Sequence, residues 1–82
     1  MSITVYSKPM CVQCDATKRA LNKQDLDYEE VDLTLDPNAL EFVKSLGFAQ
    51  APVVIAGDQQ WAGYRPDLIK KLAKEAALVV NG

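Results

Sequence analysis

The chain has no histidine, one tryptophan and only two cysteines among its 82 residues. Each scarcity excludes something. Without imidazole, any reactive group must be activated electrostatically rather than by a histidine base. A zinc site needs about four ligands, so two cysteines would have to be completed by carboxylates, water or a second chain. An excess of either charge is also lacking, with nine basic residues against eleven acidic ones. No basic stripe exists to neutralise phosphates, which argues against nucleic acid as a partner. No apolar run approaches a membrane span. The opening MSITVYS lacks the basic start and long apolar stretch of a secretory signal. The expectation is a soluble, cytoplasmic monomer without nucleic-acid or membrane partners, folded as one domain over residues 1–82.

The two cysteines lie three positions apart, Cys11 and Cys14 in KPMCVQCD. A reducing cytosol disfavours a purely structural disulfide and favours a redox or metal role. Two competing readings stay open. One is a thiol pair without chemistry. The other is a binding module that holds an iron–sulfur cluster or zinc between two chains.

The hydrophobic pattern orders the elements. Ile3 to Ser7 reads as a strand. Val12 to Lys23 reads as a helix with Val12, Ala16, Ala20 and Leu21 on its apolar face. Asp27 to Leu33 alternates as a strand. Asp36-Pro37 is a helix start, a cap followed by proline at the first helical position. Leu40, Val43 and Leu46 form that helix's buried stripe, and Gly47 ends it. Pro52 to Ala56 is a buried strand, Gly57-Asp58 a hairpin turn, and Gln59 to Ala62 the returning strand. Pro66 opens a last helix with Leu68, Ile69, Leu72, Ala73 and Ala76 on its apolar face.

The order is β-α-β-α-β-β-α. Helical crossovers join the first three strands, so those that share a sheet are expected to pair in parallel, with the hairpin adding an antiparallel edge. This is an α/β class, a four-stranded mixed sheet flanked by three helices. C-x-x-C at the first strand-to-helix junction reads as thioredoxin-like in that setting.

Cys11 is expected at or just before the first turn of the first helix. Unpaired amides and the positive end of the helix dipole then favour its thiolate, and Lys8 adds positive charge nearby. Such sites lower a cysteine from ~8.5 to roughly 3.5–7.5. Cys14 lies one turn further in and is more shielded. Cys11 is therefore expected to attack a target disulfide, and Cys14 to attack Cys11 and release the reduced target. Thioredoxin-like folds carry a cis-proline opposite the dithiol just before the third strand, and Pro52 is in the matching place, so the resemblance implies a cis bond after Ala51. Such a bond would expose the Ala51 backbone so that a substrate segment pairs with it as an added strand. The plainer reading of Pro52 is a strand-opening proline.

YSKPMCVQC, FAQAPVV and WAGYRPDLI together strongly resemble the NrdH-redoxins, small glutaredoxin-like proteins that behave like thioredoxins. The resemblance runs over essentially the whole chain. Its most specific parts are C-V-Q-C, where glutathione-using glutaredoxins carry C-P-Y-C, and W-x-G-Y-R-P-D. It implies a thioredoxin/glutaredoxin-like fold and a redox-active Cys11–Cys14 disulfide without bound cofactor or metal. It implies that electrons come from NADPH through thioredoxin reductase and pass to the large subunit of class Ib ribonucleotide reductase. Cys11 and Cys14 become the catalytic pair. Lys8, Met10, Val12, Gln13, Ala51 and Pro52 become substrate-binding or supporting positions, with Trp61, Gly63, Tyr64 and Arg65 from the family's characteristic segment.

Three residues have structural alternatives. Trp61 is either packing or, if exposed, part of an apolar docking patch with Met10, Val12 and Ala51. Arg65 either serves the site or reaches a carboxylate on a neighbouring loop to hold the Trp61 segment. Asp67 reads as a dipole partner in the first turn of the last helix, and the acidic run Asp25, Asp27, Glu29, Glu30 and Asp32 as a solvated face. Glutaredoxins hold the γ-glutamyl end of glutathione with polar groups where this chain has Gly63 to Asp67. Pro66 has no N–H to offer, and Tyr64 and Arg65 are bulky. A glutathione-dependent glutaredoxin is nonetheless the alternative reading of the donor.

Overall fold

The computed structural model describes the backbone of residues 2–81 and the side chains of residues 2–76. The elements are β1 (Ile3–Ser7), α1 (Val12–Lys23), β2 (Glu29–Asp32), α2 (Pro37–Ser45), β3 (Val53–Ala56), β4 (Gln59–Ala62) and α3 (Pro66–Asn81). They follow the expected order. The sheet order is β2-β1-β3-β4, a thioredoxin/glutaredoxin architecture with β1 and β3 at its centre.

Strand alternation divides the core into two layers. Ile3 and Val5 of β1, Val54 and Ala56 of β3 and Trp61 of β4 face α1 and α3. There they meet Leu21, Ile69 and Leu72. Val53 packs on the opposite face with Leu33, Ala39 and Val43, against which Tyr6 and Ile55 also pack. The rings of Tyr6 and Phe42 lie 6.0 Å apart and pin α2 to the sheet. Two central strands thus carry side chains into both layers.

Pairing departs from expectation at one strand. β1 and β2 are parallel, with Thr4 opposite Glu29. β3 runs antiparallel to β1, with Ile3 opposite Ala56 and Tyr6 opposite Val53. The segment from Leu33 to Pro52 leaves and re-enters at the same end of the sheet. It therefore returns the chain reversed instead of crossing over. The hairpin behaves as expected, with Val54 opposite Trp61 and Gly57 at φ 61 in its two-residue turn.

Two helix faces also differ. The buried side of α1 is Cys14, Thr17 and Leu21, while Val12 is 81% exposed. A polar residue can occupy that stripe because the Thr17 hydroxyl donates to the Gln13 carbonyl at 2.8 Å. In α2 the buried pair is Ala39 and Val43. The small Ala39 faces the core, Leu40 stays at the surface and Leu46 falls beyond the last turn, half-buried. The helix start is as expected, with the Asp36 carboxylate accepting the Ala39 N–H at 3.1 Å. β2 is shorter than expected because only Glu29–Asp32 meet β1.

The acidic run is not merely solvated. The buried hydroxyl of Ser7 donates to Glu30 at 2.7 Å, and Lys18 Nζ donates to the same carboxylate at 2.8 Å. The Lys18 hydrogen bond, then the Ser7 one, holds the Glu30 carboxyl below its ordinary range. Glu30 correspondingly raises Lys18. No helix among the described residues is long and apolar enough to cross a membrane.

A depressed carboxyl stabilises the fold above its unfolded value, and that contribution is lost as pH falls through the folded value. Glu30→Gln keeps an acceptor for Ser7 but loses the charge. Its deficit at pH 7 should be well under ~1 kcal/mol and should vanish in acid. Glu30→Ala leaves the Ser7 hydroxyl unpartnered and should cost about 1–2 kcal/mol. Urea midpoints across pH 3–8 test this. Equal stability of all three proteins would exclude the network as a contributor.

Candidate active site

β1 lies at the centre of the sheet and delivers the loop Lys8-Pro9-Met10 to one sheet end. Met10 closes this loop at φ 57, a left-handed conformation that costs a residue with a Cβ roughly 1–2 kcal/mol. Its side chain is fully exposed. Cys11 follows with extended backbone, φ −116 and ψ 106, as the cap of α1. Its Sγ accepts the N–H of Cys14 at 3.1 Å. A sulfur therefore stands where a helix start usually has a serine or aspartate oxygen. Any negative charge on that sulfur meets a backbone donor and the positive helix end.

Cys11 and Cys14 form a disulfide, with Cα atoms 5.2 Å apart. Cys11 is 8% exposed and Cys14 1% exposed. The asymmetry matches the expected one. Only Cys11 can be approached from outside, between exposed Met10 and Val12. Among the described residues no three cysteine or carboxylate side chains converge on a common point. A metal at these sulfurs would need ligands from another molecule.

The Ala51–Pro52 peptide bond is cis, as expected. Pro52 is buried and Ala51 half-buried. The Pro52 carbonyl accepts the Gly63 N–H at 2.8 Å, continuing the β3–β4 pairing by one bond. Gly63 turns the chain at φ 88. A Cβ there would lie 3.5 Å from Gln13 Oε1 and 3.8 Å from Gln50 Nε2. Gln13 Oε1 also accepts the Tyr64 N–H at 3.2 Å. Gln13, one of the two residues between the cysteines, thus ties the dithiol helix to the turn between β4 and α3. Gln50 joins this convergence and was not among the sequence candidates. Its only sequence signal was its position two residues before Pro52.

Two candidates are placed elsewhere than the docking reading required. Trp61 is 5% exposed and lies in the core between β4 and the α1/α3 layer, so it is no part of an exposed patch. Its position in β4 points it inward, directly opposite Val54. Its Nε1–H is buried without a partner among the described residues. Arg65 reaches no neighbouring loop. It forks onto Asp67, with Nε to Oδ1 at 3.2 Å and a terminal nitrogen to Oδ2 at 3.0 Å. That hydrogen bond raises Arg65 and lowers Asp67 from their ordinary values. Two positions of separation at a helix start make this local pair reachable without bending the chain. Lys8 is exposed and lies beside Ala51 in a groove on the α2 side, and Tyr64 is partly exposed.

Residues 3–61 match the glutaredoxin family model. The chain is 49% identical over 72 residues to the glutaredoxin-like protein NrdH of Salmonella typhimurium, covering 88% of this chain and 89% of that one. It is 37% identical over 71 residues to the protein of the same name from Lactococcus lactis, covering 87% and 99%. Among solved structures, the Escherichia coli NrdH-redoxin superposes with a TM-score of 0.86 at 49% identity, over 88% of this chain and 95% of that one. That relative is described as a glutaredoxin-like protein with a thioredoxin-like activity profile.

The unequal access of the two sulfurs is directly measurable. After reduction, limiting iodoacetamide at pH 7 should alkylate Cys11 well before Cys14, read by peptide mass spectrometry. Equal labelling, or labelling of Cys14 first, would contradict the shielding described above.

Proposed function

The chain belongs to the glutaredoxin family, among its NrdH-type glutaredoxin-like members, and on that premise we propose that it is a dithiol–disulfide oxidoreductase. The observation that carries this reading is the Cys11 sulfur, reachable from outside and capped by the Cys14 N–H at 3.1 Å. The Cys11 thiolate attacks one sulfur of a target disulfide and displaces the other as a thiolate, leaving a mixed disulfide. The Cys14 thiolate then attacks Cys11 Sγ. The Cys11–Cys14 bond forms and the target's second sulfur leaves as a thiolate, which takes up a proton from solvent. Two electrons and two protons pass to the target. Pro52 and Ala51 border the dithiol and receive the substrate backbone, while Gln13 and Gly63 position the surrounding turns.

Electrons come from NADPH through thioredoxin reductase, and the chain carries them on its own sulfurs without a bound cofactor. The acceptor is the large subunit of class Ib ribonucleotide reductase, in the cytoplasm. The thioredoxin-like profile of the Escherichia coli relative supports this donor. So does the start of α3. There Pro66 offers no N–H, the Tyr64 N–H is already held by Gln13, and Arg65 is occupied by Asp67. Few donors remain at this helix start for the γ-glutamyl carboxylate of glutathione.

Two experiments test the reading. Cys14→Ser should accumulate the mixed disulfide with its target, whereas Cys11→Ser should not; trapping by Cys11→Ser alone would reverse the roles. NADPH oxidation with a model disulfide should proceed with thioredoxin reductase and not with glutathione plus glutathione reductase. Activity only with glutathione would make the protein a conventional glutaredoxin.

A further inference from the structure

Met10 stands directly before the nucleophile and is fully exposed. Its backbone is left-handed, φ 57, a conformation that a residue with a Cβ keeps only where its surroundings impose it. The core does not need its side chain, since the apolar clusters on both faces of the sheet form without it. Val12, 81% exposed, stands on the other side of Cys11. A disulfide that reaches the Cys11 sulfur passes these two residues. Methionine differs from other apolar residues in one respect: a peroxide converts its thioether to a polar sulfoxide. In the disulfide form the sulfurs of Cys11 and Cys14 are bonded to each other and buried. Among the described residues, Met10 then carries the sulfur that is open to solvent.

We propose that Met10 is a modification site for hydrogen peroxide, oxidised to the sulfoxide once the dithiol is spent, and that the sulfoxide slows the approach of apolar protein disulfides to Cys11. This rests on the oxidoreductase reading and adds its regulation. In the reduced chain the Cys11 thiolate takes the peroxide first, because a thiolate is the stronger nucleophile. It attacks one peroxide oxygen and becomes a sulfenic acid, and the other oxygen leaves as hydroxide and is protonated to water. Cys14 then attacks Cys11 Sγ. The disulfide forms and the sulfenic oxygen leaves as a second water. The thiols lose two electrons and the peroxide gains them. With no dithiol left, the Met10 sulfur attacks the next peroxide. The O–O bond breaks, sulfur keeps one oxygen, and the other leaves as water. Here the thioether loses the two electrons. Met10 therefore registers peroxide arriving faster than electrons are supplied. The new S=O dipole must be stripped of water when an apolar target covers it, and a polar group buried without a partner opposes binding.

Mass spectrometry tests the modification and kinetics its effect. Reduced protein given a single equivalent of hydrogen peroxide should form the disulfide and leave Met10 unmodified. Disulfide-form protein given excess peroxide should gain one oxygen on the peptide that contains Met10. That protein is then re-reduced with dithiothreitol, which leaves the sulfoxide in place, and desalted. It should reduce a disulfide peptide flanked by Leu and Phe roughly tenfold more slowly than untreated protein, the factor set by losing the burial of one apolar side chain. Its rate with small hydroxyethyl disulfide should not change. Methionine sulfoxide reductases for both epimers should restore the peptide rate. Met10→Leu keeps apolar bulk without sulfur, so its treated and untreated peptide rates should be equal. Met10→Gln should reduce the peptide slowly without any peroxide. Oxidation of Met10 by the single equivalent, an undiminished peptide rate in sulfoxide-bearing wild type, or an equal peroxide-dependent loss in Met10→Leu each overturns the proposal. Failure of untreated protein to reduce hydroxyethyl disulfide would instead overturn the oxidoreductase reading, whatever the state of Met10.

Discussion

The unpaired amides at the start of α1 set the terms for the rest of the molecule. They need an acceptor, and the Cys11 sulfur provides it through the Cys14 N–H. A serine or aspartate oxygen would cap the helix as well. Only a sulfur lets one atom serve as both cap and nucleophile. The negative charge that makes sulfur reactive is the charge a helix start stabilises. With no histidine in the chain, no imidazole stands beside this sulfur, and the helix start supplies its donor.

The surrounding structure holds that sulfur in position. β1 is paired on both sides, with β2 and with β3, so the loop that follows it starts from a fixed point. Met10 takes up the left-handed turn. Cys14 is held below by the α1 stripe that continues through Thr17 to Leu21. From the other side, the bond between Gly63 and Pro52 ties the β4–α3 turn to the start of β3, and Gln13 ties that turn back to α1. The groove along α2 begins where this frame ends.

Local order was open to reading from the chain. Ile3 to Ser7, Val12 to Lys23 and the Asp36-Pro37 helix start are set by β-branching, spacing and capping, which act between near neighbours. The dithiol and its asymmetry follow from three-residue spacing at a helix start, again a local property. Pairing direction was not local. The reversal of β3 depends on where the segment from Leu33 to Pro52 leaves and re-enters the sheet.

The same division holds for single residues. Sequence by itself determined where the cysteine pair sits, at a helix start, and the order of elements, because each depends on contacts within a turn or a strand. Tertiary structure alone decided that Trp61 is core and not docking surface, since its direction depends on which face of β4 meets α1 and α3. It decided that Val12 points outward and Thr17 inward, because the sheet, not helix periodicity, selects the buried side of α1. It also brought Lys8 and Lys44, 36 positions apart in the chain, onto one groove. That juxtaposition comes from the packing of α2 against the sheet, which no spacing rule in the sequence encodes.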